Sequence, residues 1–247
     1  MTITAQLPDS PAMAPKRVPM SLERRSALFG GLFYLITFAS SIPAVLLLRP
    51  VINDSHYIIS SGADTRVILG TVLDLVNALT AVGSAVALFP ILKRQSEPMA
   101  LGFVTTRMFE AAVISIGVVS LLTVVSLRQP GATGAEAQSL VVTGHALVAA
   151  YNWVFLIGPN LMPAVNGLLL GTLMYKSGLV PRAIPLMGLV GGPLLLAVTL
   201  ASMFGLTHHG SAWWAVTVPI FFWELSLGLY LTFKGFKPSP ITADAGA

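Results

Sequence analysis

The chain has 247 residues, of which 55% are hydrophobic and only 10% charged, and it contains no cysteine. Soluble domains carry roughly 25% charged residues, so a water-soluble fold of this length could not cover its surface. The absence of cysteine excludes disulfides, thiol redox chemistry and Cys-ligated metal or iron–sulfur centres. The net charge of +4 lies in short clusters between apolar runs, as in the loops of a membrane protein, which argues against a nucleic-acid partner.

Residues 1–20 are punctuated by prolines without a sustained period and predict a disordered cytoplasmic tail. Arg24 and Arg25 then precede an apolar run over 27–48. It is too long for the roughly 7–15 apolar residues of a signal peptide, so an uncleaved first span is expected. Further apolar segments follow at 67–92, 99–127, 140–175, 183–206 and 212–233. About 20 residues cross a hydrocarbon core as a helix. Continuously apolar runs exclude the alternating strands of a barrel, and an open sheet edge cannot face lipid.

The fourth segment is the ambiguous one, since as a single helix it would be about 54 Å long. Gly158, Pro159 and Pro163 interrupt it. Loop charge decides between one span and two. With six spans and a cytoplasmic N-terminus, the inner side holds Lys16, Arg17, Arg24, Arg25, Lys93, Arg94, Lys176, Arg182, Lys234 and Lys237. The outer side holds only Arg49, Arg66 and Arg128. Splitting the fourth segment spoils that bias. The expectation is therefore an all-α integral membrane bundle of six spans, the fourth long and kinked near Pro159. A single domain covers 21–237, followed by a disordered cytoplasmic tail over 238–247, and both ends face the cytoplasm. Spans one to three and four to six show no repeat of the inverted kind common in transporters. Gly167-x-x-x-Gly171 and Gly188-x-x-x-Gly192 permit close helix approach. Packing inside the bundle is the first reading of that spacing, with homo- or hetero-oligomerisation left open.

Candidate functional residues are those costly to place in lipid, at ~2.5–3.5 kcal/mol or more for a central charge. They are Asp74 and Asn77 on span two, Arg107 and Glu110 on span three, Asn152 and Asn160 on span four, and Glu224 on span six. His145 and Asn166 on span four are further polar positions. The helical rise puts Arg107 about 12 Å and Glu224 roughly 14 Å from the inner ends of their spans. At matching depth the two could pair, and Arg107 and Glu110 share a face at i,i+3. Asp74, roughly 27 Å from the inner end, is too far from Arg107 without tilt, whereas Asn77 falls near the level of Glu110. Three carboxylates against one guanidinium leave a deficit of positive charge, which protonation, a cation or a water-filled cavity would compensate. The alternative is a lock between spans three and six, with Asp74 hydrated near the outer interface.

Pro159 and Pro163 withhold the N–H groups that Phe155 and Pro159 would otherwise receive. Non-helical backbone at that depth tends to line a cavity or be buried in protein, and a plain proline kink is the simpler alternative. His208 and His209 could meet a metal with His56 or Asp54, but adjacent histidines usually sit in solvent, and no metal site is assigned. Trp213, Trp214 and Tyr230 fit interfacial belts. There is no HExxH, GxSxG, phosphate-binding glycine loop or CxxC. No cofactor follows from the residues, and an enzyme is the less favoured class.

The blocks ALFPILKRQSEPMALGFVTTRMFEAAVISIGVVSLL (87–122), SGLVPRAIPLMGLVGGPLLL (177–196) and WELSLGLYLTFKGF (223–236) resemble a bacterial membrane-protein family known as domain of unknown function 4386. The resemblance runs over about 22–237 and implies a bacterial inner-membrane location without supplying an activity. Three functions follow in order. The first is a small transporter for protons, cations or a small solute using the intramembrane carboxylates. The second is a non-enzymatic sensor or accessory subunit. The third is an intramembrane enzyme acting on a lipid, with Glu110 as acid or base and Arg107 holding an anionic head group.

Overall fold

The computed structural model describes residues 20–62, 64–207 and 211–243, and of 211–214 the backbone alone. It is helical throughout, with no strand among the described residues. The elements are α1 (Leu22–Asn53), a 3-10 turn (Tyr57–Ile59), α2 (Thr65–Leu92), α3 (Glu97–Leu127) and α4 (Gly134–Phe155). A π-helical segment (Leu156–Leu161) leads into α5 (Met162–Ser177), followed by α6 (Ala183–Met203), α7 (Ser211–Phe233) and α8 (Pro240–Ala243). Among the described residues six helices are long and apolar enough to cross a membrane, and α4, the π segment and α5 form one of them over Gly134–Ser177. The fourth segment is therefore a single span, as the charge count requires.

Local chemistry accounts for the ends. Ser21 Oγ accepts from the backbone N–H of Arg24 at 3.2 Å, an N-cap that satisfies one of the four free donors of a first turn. α3 opens on Ser96 with a proline in its first turn, a position that needs no donor. α5 stops at Gly178, which takes a left-handed φ of 67° and returns its N–H to Met174 O.

Burial runs opposite to that of a soluble protein. Leu79, Val119, Ile116 and Val86 are exposed while Arg107 and Glu110 are buried, the arrangement expected where the surrounding solvent is lipid. The core has two parts. On the side carrying the described chain ends, Tyr34, Leu88, Phe103, Leu173, Trp223 and Leu227 pack together from α1, α2, α3, α5 and α7. On the far side Leu48, Ile58, Val67, Leu121 and Tyr151 pack together without α6 or α7. α4 packs on α3 and the 3-10 turn, with at most marginal contact to α1, α6 or α7.

Small residues make the close contacts within the bundle. A Cβ on Gly188 would stand 2.8 Å from the Trp223 ring, and one on Gly192 would stand 2.9 Å from Ala164 O. The Gly188-x-x-x-Gly192 spacing thus serves packing of α6 on α5 and α7.

The structure adds detail at two places. The break at Gly158–Pro159 is a π-wound turn within a continuous helix, because a wider turn accommodates the prolines without abandoning helical winding. The tail over 238–247 is ordered in its described part. α8 follows Ser239, whose hydroxyl donates to Ser177 O at 2.5 Å, and Lys237 N donates to Leu179 O. Arg94 ties Ile241 O to the same side and pairs with Glu23 at 3.2 Å. These bonds hold a stretch whose composition alone carries no folding signal. Residues 1–19 and the His208–His209 pair lie outside the described residues, as do the side chains of Trp213 and Trp214.

Candidate functional site

One stripe of α3, comprising Phe103, Arg107, Glu110, Ile114, Gly117 and Leu121, is buried. Its three- and four-residue spacing is that of a single helix face, so the sequence carries Arg107 and Glu110 into the bundle together. Arg107 Nη1 donates to Glu110 Oε2 at 3.0 Å, and Nη2 donates to Glu224 Oε1 at 2.6 Å and to the Tyr34 hydroxyl at 3.0 Å. The guanidinium also stands 5.2 Å from the centre of the Tyr34 ring and 5.8 Å from that of Phe103, within cation–π range. Glu110 Oε2 accepts a second bond from Asn166 Nδ2 at 3.2 Å, and Asn166 Oδ1 accepts from Thr106 Oγ1 at 2.5 Å. The network thus joins α1, α3, α5 and α7.

Glu224 belongs to this network and also to a cavity of about 280 Å³. Asp74, Asn77, Asn160 and Glu224 line it, and so do Pro159 and Pro163. Arg107 and Glu110 lie behind Glu224 and do not line it. Among the described residues Asp74 receives a single long contact, from the Tyr151 hydroxyl at 3.5 Å, and makes no pair with Arg107. Asn152 lines a different cavity, with His145, Asp54 and Tyr57, and Gly158 faces Val113 of α3. Of the two carbonyls freed by the prolines, that of Phe155 accepts from Asn160 Nδ2 at 2.8 Å.

Sequence reasoning missed Tyr34 and Tyr151 and set Asn166 aside. A tyrosine far from the membrane interface is itself a signal, because its hydroxyl needs a buried partner. Thr106 carried no comparable mark. Arg128, counted only as an outer charge, organises the far-side loop. Its guanidinium donates to Tyr57 O, Gly62 O, Ser60 Oγ and Asp64 Oδ1, the last at 2.5 Å. Burial pushes the Tyr57 hydroxyl up to about 12, and its hydrogen bond to Asp64 adds to the shift.

The chemistry available is electrostatic. Two carboxylates share one guanidinium, a third lies in the same cavity system, and no Lys, Arg or His lines the cavity among the described residues. No group of three or more His, Asp or Glu at metal-binding spacing occurs among the described residues. No curated protein and no solved structure matches the chain. The sequence profile described as Domain of unknown function (DUF4386) matches residues 29–235, and the chain belongs to that family.

Proposed function

We propose that this multi-pass membrane protein is a small transporter that moves protons or cations past Glu224 and Asp74. One observation carries the reading. Glu224 contributes to the buried ion network and to the wall of the cavity at once, so a change of charge in the cavity acts directly on the contact between α3 and α7. A ligand shifts a conformational equilibrium only by its differential affinity for the two states, and a carboxylate shared in this way supplies that difference. The π segment beside the cavity supports the reading too, since π turns cluster at functional positions in helices.

The location that goes with this function is the bacterial inner membrane with both chain ends in the cytoplasm. It is supported by Arg24, Arg25, Lys93, Arg94, Lys176, Arg182, Lys234 and Lys237, all on the side of the described chain ends. A reporter fused at the C-terminal end and found on the outer face would overturn that orientation. The test of the function is ion flux into liposomes holding purified protein, followed with a pH-sensitive dye and with labelled cations. Glu224→Gln and Asp74→Asn are expected to abolish flux while leaving the helical circular dichroism unchanged. Flux at the unaltered rate in both variants would refute the carboxylate role.

A second reading, an accessory subunit, is favoured by the outer face of α4. Gln138, Val142, His145, Ala149, Asn152 and Trp153 are exposed there, and polar groups inside membranes ordinarily face protein. Co-purification of a stoichiometric partner after gentle detergent extraction, lost on Ala149→Trp, would support it.

A further inference from the structure

We infer that the cavity binds an organic cation with a small aromatic or apolar body, admitted from the lipid-facing side of α1 and α7. The inference deepens the transport reading of the same cavity, on which its physiological meaning rests.

The sign of the ligand follows from the fixed charges. Asp74 and Glu224 face the cavity with no basic side chain beside them among the described lining residues. Arg107 is already divided between Glu110, Glu224 and Tyr34. Asp74 lies outside that network, and among the described residues its bonded contact is the long one from Tyr151. It is the fixed charge that a ligand can meet without breaking an ion pair. Asn77 and Asn160 add amide groups at the wall, although Asn160 Nδ2 is committed to Phe155 O.

The body of the ligand follows from the remaining wall. Phe38, Tyr151, Phe155 and Phe221 present aromatic rings, and aromatic faces attract cations whose hydration shell has been removed. Stripping an inorganic ion of its hydration shell is costly against a wall that is mostly apolar, since hard cations take six or more oxygen ligands. An alkylammonium needs only one counter-charge and apolar walls. The volume, about 280 Å³, stands near the lower end of ligand pockets at roughly 300 Å³, which selects a one-ring ammonium over a larger polycyclic one.

The route follows from exposure. Ile42, Val45 and Phe221 line the cavity and yet are 52%, 39% and 41% exposed. They belong at once to the cavity wall and to the apolar outer surface of the bundle. The marginal contact between α4 and either α1 or α7 leaves that side unsealed among the described residues. An amphipathic cation already partitioned into the membrane would reach Asp74 by this path without crossing either polar face.

The experiment measures equilibrium binding of radiolabelled benzyltrimethylammonium to the full-length protein in lipid nanodiscs. Neopentylbenzene, the same shape without the charge, serves as competitor. Saturable binding is expected, with neopentylbenzene displacing the label poorly. Asp74→Asn should weaken binding by about tenfold, the scale of a lost charged contact, while Asp74→Glu should retain most of it. Phe221→Ala should weaken it by a smaller factor, which checks the doorway. Absence of saturable binding, or binding unchanged in Asp74→Asn, would overturn the proposal. So would equal displacement by the neutral isostere. Asp74-dependent binding without any ion flux would keep the site and remove the transport reading. Glu224-dependent flux in a protein that ignores benzyltrimethylammonium would do the reverse.

Discussion

Arg107 Nη2 lies 2.6 Å from Glu224 Oε1 while Nη1 of the same guanidinium holds Glu110 Oε2 at 3.0 Å, so one cation fixes a carboxylate on its own helix and one on α7. Removing the cation leaves the buried Glu110 and the half-buried Glu224 without their shared counter-charge, and breaking a buried pair costs about 3–5 kcal/mol. Arg107→Gln is therefore expected to lower the unfolding temperature in detergent far more than Glu224→Gln, after which Arg107 still keeps Glu110 and Tyr34. Equal unfolding temperatures for the two variants would show that the network does not hold the helices.

The Asn160 side-chain amide is a second donor to the Phe155 carbonyl, beside the i→i+5 backbone bond of the π turn. Asn160→Ala should destabilise the protein by about 0.5–1.5 kcal/mol, the usual net worth of one hydrogen bond. Asn160→Asp loses the donor at nearly the same volume and should be at least as harmful. Thermal unfolding of both variants checks this, and a neutral Asn160→Asp would contradict it.

Gly188 lies against the indole of Trp223. Gly188→Ala should cost about 1–3 kcal/mol, as overpacking of a filled core does. Combined with Trp223→Leu, the penalties should fail to add, because the smaller side chain vacates the space the new methyl needs. A purely additive double mutant would mean that the clash is relieved elsewhere.

Arg128 gathers the loop between α1 and α2 around its guanidinium. Since the chain has no cysteine, a Ser61→Cys variant offers a single thiol in that loop. Adding Arg128→Gln should speed its reaction with a maleimide several-fold, and an unchanged rate would show that the loop is held by other contacts. The phenol of Tyr57 belongs to the same cluster. Its folded pKa is raised, so its hydrogen bond to Asp64 is complete below the ordinary tyrosine value of about 10. The contribution fades as pH climbs through about 12, and thiol labelling at alkaline pH should follow that order.

The spans were legible because lipid imposes a simple rule on length and polarity, and loop charge resolved the one doubtful case. The Arg107–Glu224 pair was legible too, since the constant rise of a helix converts residue number into depth. What depth cannot supply is the direction in which a residue faces across different helices. Tyr34 sits on another span with no periodic tie to Arg107, and Asn152 is only eight residues from Asn160 yet opens into another cavity. α8 was hidden for a different reason. It is held by bonds to the carbonyls of Ser177 and Leu179, and a carbonyl has no side-chain identity for a sequence to display.

The π turn at Leu156–Leu161 amounts to a residue inserted into an otherwise regular screw. Each residue advances an α-helix by about 100°, so the turn resets the angular phase of everything after it relative to everything before. Ahead of it, Tyr151 is aimed at Asp74, and beyond it, Asn166 is aimed at Glu110. Deleting one residue from the turn would let the screw run on evenly, but only one of those two side chains could then keep its bearing. Span four is in effect two rods keyed together at an offset, and the offset is what allows a single helix to serve both the ion network and the cavity.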